Sequence, residues 1–173
     1  THEPLERLVR PPGVIQAAAY SPHGGQLLTG SHFSNSAWVW HAKSGKRVGG
    51  PLRHRGAIPS VAFGSDGQQV LTGSDDGTAR LWDSMTGQPV GMPLKHDGKI
   101  LQAVFNKGES KIITWSDDGT VRLWDSTTDN PVDMPLKHEG GVSGAVFNKD
   151  GSRILIWSDD GTTGLWDSTT GQP

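Results

Sequence analysis

Three residue types in this chain could do acyl chemistry together. His54, Thr72 and Asp76 form one set and His96, Thr114 and Asp118 a second. A threonine hydroxyl can serve as nucleophile, an imidazole as its base, and a carboxylate can fix the base's tautomer. The chemistry would be hydrolysis. A tryptophan closes each set, Trp82 in the first and Trp124 in the second. A third set, His138, Asp160 and Trp166, has Ile156 where the hydroxyl should stand. Catalysis seldom needs several copies of one site, so the repetition itself favours a structural role for these groups.

Other chemistries find little support. The chain has no cysteine, which excludes disulfides, thiolate metal sites and a cysteine nucleophile. Its histidines show neither HExxH nor paired zinc spacing. The Asp-Asp-Gly turns lack the alternating oxygens of a calcium loop, and the glycines recur at turns rather than in a phosphate cradle. No metal and no cofactor is therefore expected. A net charge of −2 argues against a dedicated nucleic-acid binder. No apolar run is long enough to span a membrane, and no signal-peptide pattern opens the chain. The expectation is a soluble chain with no membrane partner. Compartment stays open, the cytoplasm being the expected one. The sequence starts at Thr1 rather than methionine, which suggests excision from something longer.

The elements that must position these residues repeat. Trp40, Trp82, Trp124 and Trp166 lie 42 residues apart, and aspartate follows the last three as Asp83, Asp125 and Asp167. Pro89–Asn130 and Pro131–Gln172 align without gaps and are identical at most positions, sharing MPLKH, AVFN, WSDDGT and LWDSTT. A third copy precedes them, and a degenerate first copy carries Trp38-Val39-Trp40 and one extra residue. Local signals within a repeat are β. Ile58–Phe63, Gln69–Thr72, Ala79–Trp82 and Pro89–Leu94 read as strands, and Asp75-Asp76-Gly77-Thr78 as a hairpin turn. No window sustains a helical period. The fourth strand carries Pro51, Pro93 or Pro135, so it should lie at a sheet edge. A period of this length, made of four-stranded units, is a blade signature.

With SDDGT and LWD in phase behind His54, His96 and His138, the chain resembles the WD-repeat β-propeller family over nearly its whole length. The resemblance implies an all-β fold, a β-propeller of four-stranded antiparallel blades, four per chain, in one domain over residues 1–173. It implies that His, Thr, Asp and Trp form a buried tetrad in which indole, hydroxyl, imidazole and carboxylate satisfy one another. In the first repeat Pro11 replaces the histidine and Ser34 or Asn35 the aspartate, leaving Thr29 and Trp40. Residues 3–10 align with 88–95 and so read as an outer strand, which the resemblance implies completes the last blade. Three closures fit: a homodimer completing an eight-bladed ring, which is favoured, a four-bladed monomer, or part of a longer ring.

The function implied is a non-catalytic interaction scaffold for a protein or peptide partner. Its binding face would carry Gln16, Ala57, Pro59, Asp75, Lys99, Leu101, Asp117, Ser143 and Asp159. An acidic rim there would favour a basic peptide. A structural or sensor segment of a larger signalling protein is the alternative, and a hydrolase has little support. Trp115 and Trp157 stand where the second repeat has Gly73, and are read as packing between blades rather than as ligand anchors. Lys43, Lys46, Arg47, Arg53 and Arg55 are read as a solvated face.

Overall fold

The computed structural model describes residues 9–128, 136–137 and 141–173. Its strands are β1 (Ile15–Tyr20), β2 (Gln26–Ser31), β3 (Ser36–His41), β4 (Arg47–Arg53), β5 (Ser60–Phe63), β6 (Gln69–Gly73), β7 (Thr78–Asp83) and β8 (Pro89–Lys95). They continue as β9 (Ile100–Phe105), β10 (Lys111–Ser116), β11 (Thr120–Asp125), β12 (Leu136–Lys137), β13 (Val142–Phe147), β14 (Arg153–Ser158) and β15 (Thr163–Asp167). Among the described residues there is no helix. The strands form four antiparallel sheets, β1-β2-β3-β4, β5-β6-β7-β8, β9-β10-β11-β12 and β13-β14-β15. Each strand pairs with its sequence neighbour, so every sheet is a simple meander.

Turn chemistry sets these boundaries. Between β6 and β7 the chain reverses through Asp75, Asp76 and Gly77, and Gly77 adopts a φ of 79° that its missing Cβ permits. The second sheet's inner strand begins at Ser60, not Ile58. Pro59 has no N–H for a ladder, and the Ile58 amide bonds across to the Ser31 carbonyl of the first sheet. At the other edge, Leu94 pairs with Ala79 and Val90 with Leu81, so Gly91, Met92 and Pro93 bulge opposite Arg80. The bulge takes Pro93 out of the ladder on an edge strand, where proline costs least. Pro51 sits in the corresponding edge strand β4, and Pro135 lies outside the described residues.

The sheets stack in chain order. β1 packs on β5, β5 on β9, and β10 and β11 on β13. Each junction has its own apolar core. Leu28, Ala37, Val39 and Leu52 of the first sheet meet Ile58, Val70 and Trp82 of the second. Leu71, Leu81 and Leu94 meet Ile100, Ile112 and Trp124, and Ile113, Trp115 and Leu123 meet Val142, Ile154 and Ile156. Both faces of the second and third sheets are covered, which is why their strands read as near-continuous apolar runs. Each fully buried Leu, Ile or Val contributes about 1.5–3 kcal/mol, so these junctions rather than any single hydrogen bond hold the array together.

Most of the expected closing strand, residues 3–8, lies outside the described residues, and the described part, Val9 and Arg10, carries no strand.

Candidate functional site

In the second sheet the would-be catalytic groups form a linear chain. The Trp82 indole N–H donates to the Thr72 hydroxyl at 2.8 Å, and that hydroxyl lies 2.7 Å from His54 Nε2. His54 Nδ1 is 3.0 Å from Asp76 Oδ2. A carboxylate only accepts, so Nδ1 carries the proton, and the threonine hydroxyl occupies Nε2. Asp76 also accepts from the Arg55 amide at 2.8 Å and from Thr78. The third sheet repeats the chain: Trp124 to Thr114 at 2.8 Å, Thr114 to His96 Nε2 at 2.7 Å, and His96 Nδ1 to Asp118 at 3.2 Å. The Asp97 amide and Thr120 complete the Asp118 acceptor set.

Local folding explains the assembly. Thr72 sits mid-strand in β6 with zero exposure, Trp82 one strand over, and His54 enters from the loop before β5. Asp76 lies in the β6–β7 turn, held there as the acceptor of the Thr78 amide at 3.0 Å. The network therefore ties loop, turn and two strands of one sheet together. Electrostatics agree with that role. Burial pushes the Asp76 carboxyl up, but hydrogen bonds from His54, Arg55 and Thr78 outweigh it and hold it well below the carboxylate range. Asp118 is likewise opposed by burial yet held down to about 2 by Thr120, His96 and the Asp97 amide. Burial lowers His96, more than Asp118 raises it. In both tetrads the two imidazole nitrogens and the threonine hydroxyl are thus engaged within the protein.

The terminal sheets differ. Trp40 donates to Thr29 at 2.9 Å, and the chain goes no further toward a histidine. In the fourth sheet Ile156 is buried in the apolar core, and His138 lies outside the described residues. Asp160 accepts from Thr162, fixing the turn between β14 and β15, and Trp166 is half-buried against the third sheet's core.

The aspartates that follow tryptophan act on the turns after them. Asp83 Oδ1 accepts from the Met85 and Thr86 amides and the Thr86 hydroxyl. Asp125 and Asp167 do the same to Thr127 and Thr128, and to Thr169 and Thr170. All three carboxyls are held below their ordinary range, chiefly by those threonines. Their recurrence is thus turn chemistry, an aspartate side chain capturing amides two and three residues on.

The candidate binding residues gather where hairpin turns meet the loops entering the inner strands. Lys99 is central. Its ammonium is 3.7 Å from Asp75 of the preceding sheet, and its amide donates to Asp117 at 2.6 Å. One sheet on, Ser143 donates to Asp159, the counterpart of Asp117. The rim aspartates are therefore partly engaged within the protein, and the Lys99–Asp75 pair crosses between sheets, which no spacing in the sequence signals. Gln16, Lys99, Leu101, Asp117, Ser143 and Asp159 are exposed, while Pro59 and Asp75 are half-buried. Ala57 lies beneath the rim, buried, with its carbonyl taking the Asp75 amide. Arg47, read as part of a solvated cluster, is exposed and also stacks over the Trp38 ring at 3.9 Å. Among the described residues no three His, Asp or Glu side chains gather to hold a metal ion. Nor is any helix there long and apolar enough to cross a membrane.

Residues 47–83 and 87–125 match the family model described as WD domain, G-beta repeat. Both segments are WD repeats. The two matched segments carry β4–β7 and β8–β11, and so include both complete tetrads. WD repeats generally mediate protein–protein interaction. No curated protein matches the chain. Among solved structures it is similar to the crystal structure of the computationally designed Ika8 protein, with a TM-score of 0.82 and 24% identity. That superposition covers 95% of this chain and 50% of the other, so the chain spans about half the length of the structure it matches. The likeness concerns the fold alone.

Proposed function

We propose that the chain is a non-catalytic protein-interaction scaffold whose sheets act as propeller blades, binding a peptide or protein partner on the rim around Lys99. The observation that carries this is the saturation of both tetrads. In each, the threonine hydroxyl and the imidazole Nε2 are already bonded to each other, and the hydroxyl to the indole. Fully satisfied buried networks rigidify a fold. What the scaffold leaves open is the rim, where Gln16, Leu101, Asp117, Ser143 and Asp159 face solvent. Acidic groups outnumber Lys99 there, which favours a basic peptide. A second copy of the chain belongs among the partners as well, two four-bladed arcs making an eight-bladed ring.

The test is a selection of displayed peptides on the wild-type protein, followed by affinity measurement on two variants. One reverses Asp117 and Asp159 to lysine, and the other converts Leu101→Glu, whose side chain is exposed. At least a tenfold loss of affinity is expected for the charge reversal with a basic peptide. Unchanged affinity in both variants would remove the rim from consideration. A fluorophosphonate probe that labelled Thr72 or Thr114 would instead restore the hydrolase reading.

A further inference from the structure

The repeat gives every face of every sheet an internal control. Facing positions on the second and third strands are Leu28 with Val39, Leu71 with Leu81, Ile113 with Leu123, and Leu155 with Leu165. In the first three sheets these six side chains are at most 3% exposed, because the next sheet covers them. In the fourth, Leu155 is 40% and Leu165 45% exposed. Val146 and Trp157 extend the same patch, although Trp115, the counterpart of Trp157, is buried.

The opposite end of the stack is open too. Val70, Ile112 and Ile154, each facing the sheet before, are completely buried. Leu27 pairs with Trp40 at their position in the first sheet, and it is only half-buried. Beside it Tyr20 is exposed, where Phe63, Phe105 and Phe147 are packed into junction cores. Val14 and Ile15 add further exposed apolar surface at this end.

We infer that these two end faces are the two halves of one junction, and that their occupant is a second copy of this chain. The fourth sheet of each copy packs its Val146–Leu155–Trp157–Leu165 face onto the Tyr20–Leu27 face of the other's first sheet. The inference rests on the reading of the sheets as blades of an interaction scaffold. Three observations select this occupant. The exposed residues are of the same types as those that bury against a following sheet elsewhere in the chain. The face they would meet already has the register and apolar character of the faces met at the three internal junctions. And the chain superposes on half of a solved chain, leaving uncovered the length of one further copy. Packing head to tail twice closes the assembly, whereas packing face to face would leave both first sheets open. Contiguous apolar patches of this kind mark interaction surfaces on soluble proteins.

The experiment is light scattering of the purified chain, combined with disulfide trapping in a background that has no cysteine of its own. Leu165 and Tyr20 occupy positions whose counterparts share the cores of the internal junctions, as Leu81 does with Phe105 and Leu123 with Phe147. A mass of twice 18.5 kDa is expected. The double variant Leu165→Cys, Tyr20→Cys should oxidise to a covalent dimer, while each single variant stays uncrosslinked. Leu155→Glu should give a monomer with unchanged circular dichroism, since that side chain is exposed in the single chain. A monomeric wild type overturns the pairing, as does a Leu165→Cys single variant that crosslinks to itself. A crosslink within one chain would mean four-sheet closure, and a ladder of larger species an open filament. A longer natural chain that elutes as a monomer would mean its own added sheets cover the faces. A monomer that still binds a selected peptide on the rim sinks the pairing alone. A dimer that binds no peptide sinks the rim reading alone.

Discussion

Thr72 and Thr114 are the residues on which each tetrad turns, because each hydroxyl serves two buried partners. Thr114→Val keeps the shape and removes both bonds, orphaning the Trp124 indole N–H and His96 Nε2. Leaving buried polar groups unpaired costs about 1–3 kcal/mol, so Thr114→Val should lower the urea midpoint measurably while the exposed strand control Thr163→Val barely moves it. Acid should act through the same network. His96 is depressed in the folded chain, so its contribution is full above the ordinary histidine value of 6.5 and erodes as pH falls below it. Asp118 is depressed from 3.8 to about 2, so a second loss spans that interval. Stability measured by urea titration should therefore begin falling below about pH 6.5 and fall again below about pH 4. His96→Gln should flatten the first step, and a profile unchanged by that variant would remove His96 as its cause. At this scale the sequence was highly legible for the tetrads, since His, Thr, Asp and Trp keep constant spacing. It was less so for the rim. Nothing in the local spacing says that Lys99 reaches back to Asp75 across a junction, or that Ala57 lies beneath the surface its neighbours form.

Sheets are the next scale, and their unequal quality gives an order. The second and third sheets have complete tetrads and two covered faces. The first has one tetrad bond and an inner strand exposed or half-buried along its length. Local opening follows buried contacts and satisfied bonds, so amide exchange should be slowest in β6, β7, β10 and β11 and fastest in β1. Uniform protection across the four sheets would contradict this. Strand existence and order were readable from alternation and Asp-Gly turns, with ends shifting by one or two residues. Junction spacing was not. At Gly73 an added Cβ would lie 2.6 Å from Ile100 Cγ2, so the second and third sheets approach closely there. Gly73→Ala should destabilise by about 1–3 kcal/mol through overpacking, read as a lower urea midpoint. Yet the same repeat position holds Trp115, which is buried against the fourth sheet. A one-sequence reading sees both residues but not the different separations they fill.

For the whole molecule, the repeat that made the fold legible also concealed its ends. Leu71 and Leu155 are the same residue in the same strand position, and only the structure separates the covered one from the open one. That difference has a thermodynamic consequence. If the open faces join, folding is coupled to association, and apparent stability depends on protein concentration by mass action. Enthalpies typical of a dimer of this size put the effect on the order of a 2 °C rise in Tm per tenfold increase in concentration. Leu155→Glu places a charge in that junction and nowhere in a single chain's core. It should abolish the concentration dependence and leave the Tm near the wild-type value extrapolated to dilution. A wild-type Tm that stays constant over a hundredfold range would mean that the two faces never meet, and that the arc of four sheets is stable with both ends open.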